Sequence, residues 1–458
     1  MTVFSEIYII NLHGNAKKKE VAPDGSKDEN VFDIQQGVSI NIFVRNKKRT
    51  SCRVFYRDLY GLRDNKYHEL STGSLETIGF TEIHPSEPNF FFVPKDFSGK
   101  SDYESGIDIT EIFGTYNSGV QSKRDKLVIS FSPSRVKEII HDFNTMTSEQ
   151  LRSKYDLPAD GRDWTVSGAM EDIRNNSPRI IPYAYRPFDT RYTAYTGRSR
   201  GFMGYPRDSV MAHFLGRNVG LITCRLQTTF PFQHALVTNL VSDLNSISMQ
   251  TGEQSFVFPL YLLSEHVGTE VRQPNINREK AQIIASSIGR TYDEKPSEST
   301  IGPEEIFAYI YAVLYTPQYR SKYKEFLKIG FPKIPIPFHA DVFDKQVQVG
   351  MELIRLHLME PECELDKKAY TVSLKDSKVG KYHLDNEKLY LNNESYIAGV
   401  AETIWNMYIG GYQPIQKWLK ERKGIELSSE DINHLLSIIE ILRKTREQMD
   451  ILNSIYED

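Results

Sequence analysis

Between Arg186 and Arg225 the chain carries seven arginines, at 186, 191, 198, 200, 207, 217 and 225, and no lysine. Only Asp189 and Asp208 oppose them within that stretch, and Tyr185, Tyr192, Tyr195 and Tyr205 lie beside or among them. A guanidinium is a planar fork that matches phosphate oxygens and the O6/N7 edge of guanine, and it stacks on aromatic rings. An arginine-only segment interleaved with tyrosine points to contact with nucleic acid. The alternative is structural: some of these arginines pair with acids elsewhere and hold the fold.

Other chemistry is poorly represented. No G-x-S-x-G, G-x-x-x-x-G-K-[ST], H-E-x-x-H or paired C-x-x-C string occurs. The eleven histidines are scattered without metal-ligand spacing, so His234 and His357 read as packed or capping residues. Asp24, Lys27, Asp28 and Glu29 look superficially like nuclease carboxylates. The strand that would carry a second carboxylate and a lysine is missing, so a solvated loop is the expectation.

The elements that must position the arginines follow from composition and pattern. A chain of 458 residues with 40% hydrophobic and 25% charged content can bury several cores. Net charge is −4, so any polyanion surface must be a local patch. Cys52, Cys224 and Cys363 lie far apart and suggest no disulfide framework, which fits a reducing cytoplasm. No apolar run is long enough to span a bilayer, and the N-terminus lacks the features of a signal peptide.

Ile7–Ile10 is a continuous apolar run, as expected for a strand buried on both faces. A polar loop follows, then strand-like runs over 38–44 and 52–56 joined as a hairpin by the basic turn RNKKRT. The first strand is expected to leave a raw sheet edge open to pairing. Residues 70 to 125 read as irregular. Ser134 is a candidate N-cap for a helix through Phe143, and Thr147-x-x-Gln150 a capping box. Short apolar runs at 219–224, 234–238 and 255–260 predict strands. Pro303 fits the first position of a helix, FPKIPIPF (331–338) an extended connector, and 341–359 a long helix. Two or three strands are expected between Tyr370 and Leu391, and helices over 414–422 and from Ser428 to about Ile455. The fold class expected is therefore mixed α+β: the end of an α/β sheet, a strand-rich region and a helical bundle.

Several segments, in order, carry a resemblance: EIYIINLHGN (6–15), NVFDIQQGVSINIFV (30–44), GVQSKRD (119–125), YRPFDTRY (185–192), FPLYL (258–262), LYTPQYRSKYKEFL with FPKIPIP (314–337), GMELIRLHL (350–358) and GGYQPIQKWLKERKG (410–424). Together they resemble the C-terminal portion of type ISP and type IIG restriction–modification enzymes, which fuse an N6-adenine DNA methyltransferase to a target-recognition domain. The resemblance implies that residues 1–70 are the last strands of a Rossmann-like methyltransferase sheet and 71–164 a helical connector. It further implies a target-recognition domain over 165–340 and a helical specificity subdomain over 341–458. The Gly-rich loop that holds S-adenosylmethionine and the Asn-Pro-Pro-Tyr tetrad are absent. The chain is expected to bind no cofactor and to catalyse no methyl transfer alone. The expected partners are double-stranded DNA and a methyltransferase or nuclease part, upstream or on another chain, with no membrane.

The same resemblance puts Phe32 where adenine methyltransferases often stack an aromatic on the extruded base; the other reading is a core anchor for its loop. The expected DNA-facing set is Arg186, Arg191, Arg198, Arg200 and Arg207 with Tyr192 and Tyr195, and Lys123 and Arg124 adding phosphate contacts. Arg186 and Arg191 bracket the family-like string and are read as backbone-contacting or structural, and Thr196–Arg200 as the base reader. The basic run Lys417–Lys423 is read as mainly a solvated helix face.

Overall fold

The computed structural model describes residues 3–16, 20–46, 51–87, 90–228, 231–250, 252–266, 269–297, 299–361 and 365–457. Lys47, Lys48 and Arg49 of the expected basic turn, and Cys363, lie outside them. The chain divides into two compact units, Met1–Ser98 and Gly99–Asp458.

In the first unit the strands β1 (Glu6–Asn11), β2 (Ser39–Val44) and β3 (Arg53–Asp58) are followed by helix α1 (Arg63–Thr72) and strand β4 (Thr81–Ile83). The sheet order is β2–β1–β3–β4, with β1 antiparallel to β2 and parallel to β3. The runs read as a hairpin therefore lie on opposite sides of β1. The continuous apolar run explains why: Ile7 and Ile9 pack with Val54 and Tyr56, and Ile10 with Leu12, Val31 and Leu59. A strand apolar on both faces belongs inside a sheet. The sheet edges are accordingly β2, where Ile40, Ile42 and Phe43 are exposed, and the short β4, and not β1. Parallel pairing brings the ends of β1 and β3, Asn11 and Asp58, side by side.

In the second unit, β5 (Asn117–Ser118), α2 (Pro133–Thr145) and α3 (Val166–Asn175) lead to the hairpin β6 (Arg179–Arg186) and β7 (Asp189–Tyr195). Ser132, rather than Ser134, caps α2 by accepting from Arg135 N, because Pro133 occupies the first helical position without an N–H to satisfy. The capping box at Thr147 and Gln150 forms. Strands β8 (Gly220–Cys224), β9 (Ala235–Thr238), β10 (Val241–Ser242) and β11 (Ser255–Pro259) follow. They order as β9–β8–β11–β5, while β10 joins β6 and β7.

The helical end comprises α4 (Pro303–Tyr315), α5 (Ala340–His357), α6 (Pro414–Glu421) and α7 (Ser429–Glu457), with a small sheet formed from residues 371–398. From Ile306 to Tyr315 α4 is apolar on every side and buried, so it is the axis around which α5 and α7 pack. α5 crosses it closely enough that a Cβ on Gly350 would lie 2.0 Å from Ala308 O, so no larger residue fits there. The expected segments interlace within this unit: β5 pairs with β11, Tyr315 Oη donates to Ala235 O at 2.9 Å and Tyr412 Oη to Asn245 O at 2.7 Å. Among the described residues no helix is long and apolar enough to cross a membrane.

Buried between these helices, His357 accepts from Tyr311 Oη at Nδ1 and donates from Nε2 to Thr445 Oγ1, whose hydroxyl in turn donates to Ile441 O. Burial, with Arg320 adding a smaller push, brings the imidazole pKa down to about 3. The folded state thus binds this proton less readily than the unfolded chain, whose histidine titrates near about 6.5. Stability is unaffected above that pH and falls by roughly 1.4 kcal/mol per unit as pH drops from there toward 3. Urea titrations between these limits should show a slope that His357→Gln reduces; an unchanged slope places the acid sensitivity elsewhere.

Candidate nucleic-acid interface

The structure sorts the expected arginines into two classes. Arg186, at the end of β6, is 3% exposed and donates to Asp243 Oδ1 at 2.8 Å, while Tyr183 Oη holds the other oxygen. Burial opposes the Arg186 charge, but Asp243 outweighs it and leaves the pKa raised. Arg191, 5% exposed, makes two bonds to Asp189, at 3.0 and 2.7 Å, with its guanidinium 3.7 Å from the Phe131 ring centre. Arg422 Nη2 reaches the same carboxylate at 3.0 Å from just beyond α6. Tyr195 is buried with its hydroxyl on Asp208. These are corrections to the expected DNA-facing set: Arg186, Arg191 and Tyr195 are internal braces, and Arg422 of the basic run is a buried partner, not a solvated face.

The hairpin tip explains the arrangement. Two residues, Pro187 and Phe188, turn the chain, with Phe188 at φ 59°. The Phe188 ring is buried against His357, and its carbonyl accepts from His434 Nε2 at 2.7 Å. Arg186 and Arg191, close to the turn, are drawn inward with it.

The remaining cations stay accessible on rigid loops. Lys123, Arg200 and Arg207 all adopt left-handed backbone, with φ of 64°, 57° and 57°. Non-glycine residues hold that conformation only where their surroundings impose it. Here Arg200 N donates to Gly204 O at 2.7 Å, Gly204 N to Ser122 O at 3.2 Å, and Tyr205 and Gln121 exchange backbone bonds. Asp172 on α3, buried, receives Thr196 Oγ1 and Phe202 N, and Trp164 Nε1 donates to Phe202 O. The loop 196–207 is thereby pinned from below.

Lys123 and Arg207 flank the Tyr205 ring at 5.5 and 5.2 Å, and Arg124 covers Trp164 at 4.7 Å. Asp163 accepts from Arg162 and from Tyr205 Oη, which hold its carboxyl well below the usual range, and Lys123 Nζ stands 3.5 Å away. Arg198 pairs with Glu171 at 3.0 Å in the open. Among the described residues Arg124, Arg200 and Arg207 have no carboxylate partner. Half-buried Tyr192 bonds Ser130 through its backbone in both directions. Arg162, exposed and part of this cluster, was missed in sequence because it lies outside the arginine-dense segment; the supports Asp172 and Trp164 carry no sequence signal.

In the first unit, Phe32 is 56% exposed beside exposed Ile34, so it is not a core anchor. Its backbone is nonetheless fixed. Phe32 N donates to Asn30 Oδ1, Arg63 donates to the carbonyls of Asn30 and Phe32, and Tyr67 Oη bonds Val31 O. Asn30 in turn bonds Gly14 O. Gly14 lies so close that a Cβ would sit 2.4 Å from Asn30 Cα, at φ 76°. Beneath, the Lys66 ammonium, fully buried, meets Asp28 at 2.7 Å and the carbonyls of Leu12 and Glu29. Asp28, expected in a solvated loop, is an internal ion-pair partner because Gly14 N, Gly61 N and Lys66 all converge on it.

Comparison with solved structures places the fold. Over 98% of its length the chain is similar to the ATP-dependent Type ISP restriction–modification enzyme LlaBIII bound to DNA, with 22% identity and a TM-score of 0.71, covering 31% of that chain. It is similar over 100% of its length to the DrdV–DNA complex, with 21% identity and a TM-score of 0.70, covering 48% of that chain. A nuclease-deletion mutant of the Type ISP enzyme LlaGI, in complex with a DNA substrate mimic, matches at 22% identity and a TM-score of 0.68, with 98% and 44% coverage. The chain thus spans between about a third and a half of the lengths of these relatives. No curated protein matches it. The family described as Type ISP C-terminal specificity domain matches residues 111–451, three quarters of the sequence. The chain therefore belongs to the Type ISP C-terminal specificity domain family.

Proposed function

We propose that this chain recognises a DNA sequence for a restriction–modification assembly and performs no chemistry by itself. The observation that carries the reading is the pinned cluster of cations around Tyr205 and Trp164, inside the family-matched region, with Arg124, Arg200 and Arg207 in no ion pair among the described residues. That the three solved relatives are complexes with DNA or a DNA substrate mimic supports it. Lys123, Arg124 and Arg207 contact phosphates and set register; Arg198 and Arg200 reach base edges. Buried Arg186, Arg191 and Tyr195 shape the support.

The test is binding to cognate and scrambled duplexes over a range of salt. Lys123→Gln and Arg124→Gln should weaken both duplexes alike and each flatten the log–log salt slope by about 0.9. Arg200→Ala should cost about 1–3 kcal/mol on the cognate duplex only. If all three leave both affinities and the slope unchanged, the reader lies elsewhere.

S-adenosylmethionine would be held, on this reading, by a methyltransferase part outside residues 1–458. The sequence holds neither the cofactor loop nor the tetrad. The polar side chains at the strand ends of the first unit bond one another: His13 lies between Glu20 and Asp58, and Asn11 and Asp58 both bond Tyr56 Oη. A second reading, half of a split N6-adenine methyltransferase completed by a partner chain, is favoured by two features. They are the open β2 edge with Ile40, Ile42 and Phe43, and the rigidly presented Phe32, suited to stack on an extruded base. Mixing with a methyltransferase chain and assaying methyl transfer separates the two readings.

A further inference from the structure

In the second unit a cleft of about 770 Å³ opens among the short helix Pro317–Lys322, the turn after Glu402–Trp405, the 231–233 loop and the last turns of α7. Arg320, Lys324 and Arg446 line it, with Asp450 the carboxylate among the described lining residues, and Met407 and Met449 give it apolar wall. Its volume is that of a small-molecule site.

Arg320 is the informative member. Its Nε donates to Leu314 O at 2.6 Å and its guanidinium lies 4.6 Å from the Tyr315 ring centre, but Nη2 is sealed from solvent without a hydrogen-bond partner. Arg320 is half-buried; the fully buried arginines of this chain each have a carboxylate, Asp243 for Arg186 and Asp189 for Arg191 and Arg422. Among the described residues no carboxylate pairs with Arg320, Lys324 or Arg446. A half-buried guanidinium beside two exposed cations, with no counter-ion, favours an anion in the cleft between them. The electrostatic effect is visible next door, where Arg320 helps to keep His357 neutral.

We propose that this cleft binds a phosphate ester of nucleotide size, its phosphate oxygens between Arg320, Lys324 and Arg446 and its organic part against Met407 and Met449. The phosphate comes either from a free nucleotide or from a nucleic-acid strand. Neither source depends on the cation cluster assigned to DNA reading, so this site can fail while that reading stands.

The test is calorimetric titration of the full chain with inorganic pyrophosphate, adenosine triphosphate and a short duplex. Lys324→Gln and Arg446→Gln, both exposed, should each weaken the bound probe at least about tenfold, the loss of one charge-assisted contact, with Tm unchanged. Arg320→Met should do the same; if it fails to fold, the two surface variants decide. Loss confined to triphosphate and pyrophosphate identifies a free nucleotide. Loss confined to duplex, adding to the weakening by Lys123→Gln on a scrambled sequence, identifies strand phosphate. Either result supports the site. Absence of binding to all three probes, or binding that ignores all three substitutions, overturns it.

Discussion

Asp189→Asn should lower the stability of the Gly99–Asp458 unit by about 3–5 kcal/mol, the usual cost of removing one partner from a buried ionic cluster. Asparagine keeps the size of the side chain and removes the charge. Arg191 and Arg422 would then share a buried site with no full counter-ion, since Glu421 approaches Arg191 only to 3.5 Å and is itself bonded to Lys417. Burial pushes the Asp189 carboxyl pKa up, but Arg191 and Arg422 outweigh it and hold it below the usual value. Its contribution is therefore full above the unfolded pKa of about 4 and disappears as pH falls through the lower folded value. Urea unfolding at neutral pH measures the effect as a midpoint shift at constant slope. A loss under about 1 kcal/mol would mean that stacking on Phe131 and Trp418, with the carboxylate secondary, holds the two guanidiniums.

Lys66→Met should be comparably damaging to the first unit, by about 3–5 kcal/mol. The substitution leaves the sealed Asp28 carboxylate, among the described residues, with the two backbone donors Gly14 N and Gly61 N, and strips a donor from Leu12 O and Glu29 O. The loop from Leu12 to Val38 would loosen and Phe32 lose its fixed presentation. Hydrogen exchange at Gly14 and Gly61 should accelerate alongside a lower Tm. The double variant Asp28→Asn with Lys66→Met should recover part of the loss, because no buried charge is then left alone. A double variant as unstable as the sum of the singles would show that packing, not charge, fixes the loop.

Much of the element map was legible in the chain. The strands at 6–11, 39–44, 220–224, 235–238 and 255–259 and the helices α4, α5 and α7 stand where apolar periodicity and capping residues put them. These signals are local: a period of two or 3.6, a proline without an N–H, a side-chain oxygen three residues ahead of an amide. Motif order carried the family resemblance, and family membership followed.

Pairing was not legible, because it depends on partners far away in sequence. β2 and β3 are neighbours in the chain yet flank β1, since only an interior place covers both faces of Ile7–Ile10. The same limit governed the arginines. Spacing reports where guanidiniums occur but not where their counter-ions lie: Asp243 stands 57 positions from Arg186, and Asp189 stands 233 from Arg422. A hairpin folding its tip onto His357 turned Arg186 and Arg191 inward, while glycine-tight loops braced by Asp172 and Trp164 left Lys123, Arg124, Arg198, Arg200 and Arg207 outside. Residue types and order thus determined the elements, the family and the supply of cations. Tertiary contact decided which cations brace the fold and which stay at the surface, because burial sets whether a charge must be answered from within the chain.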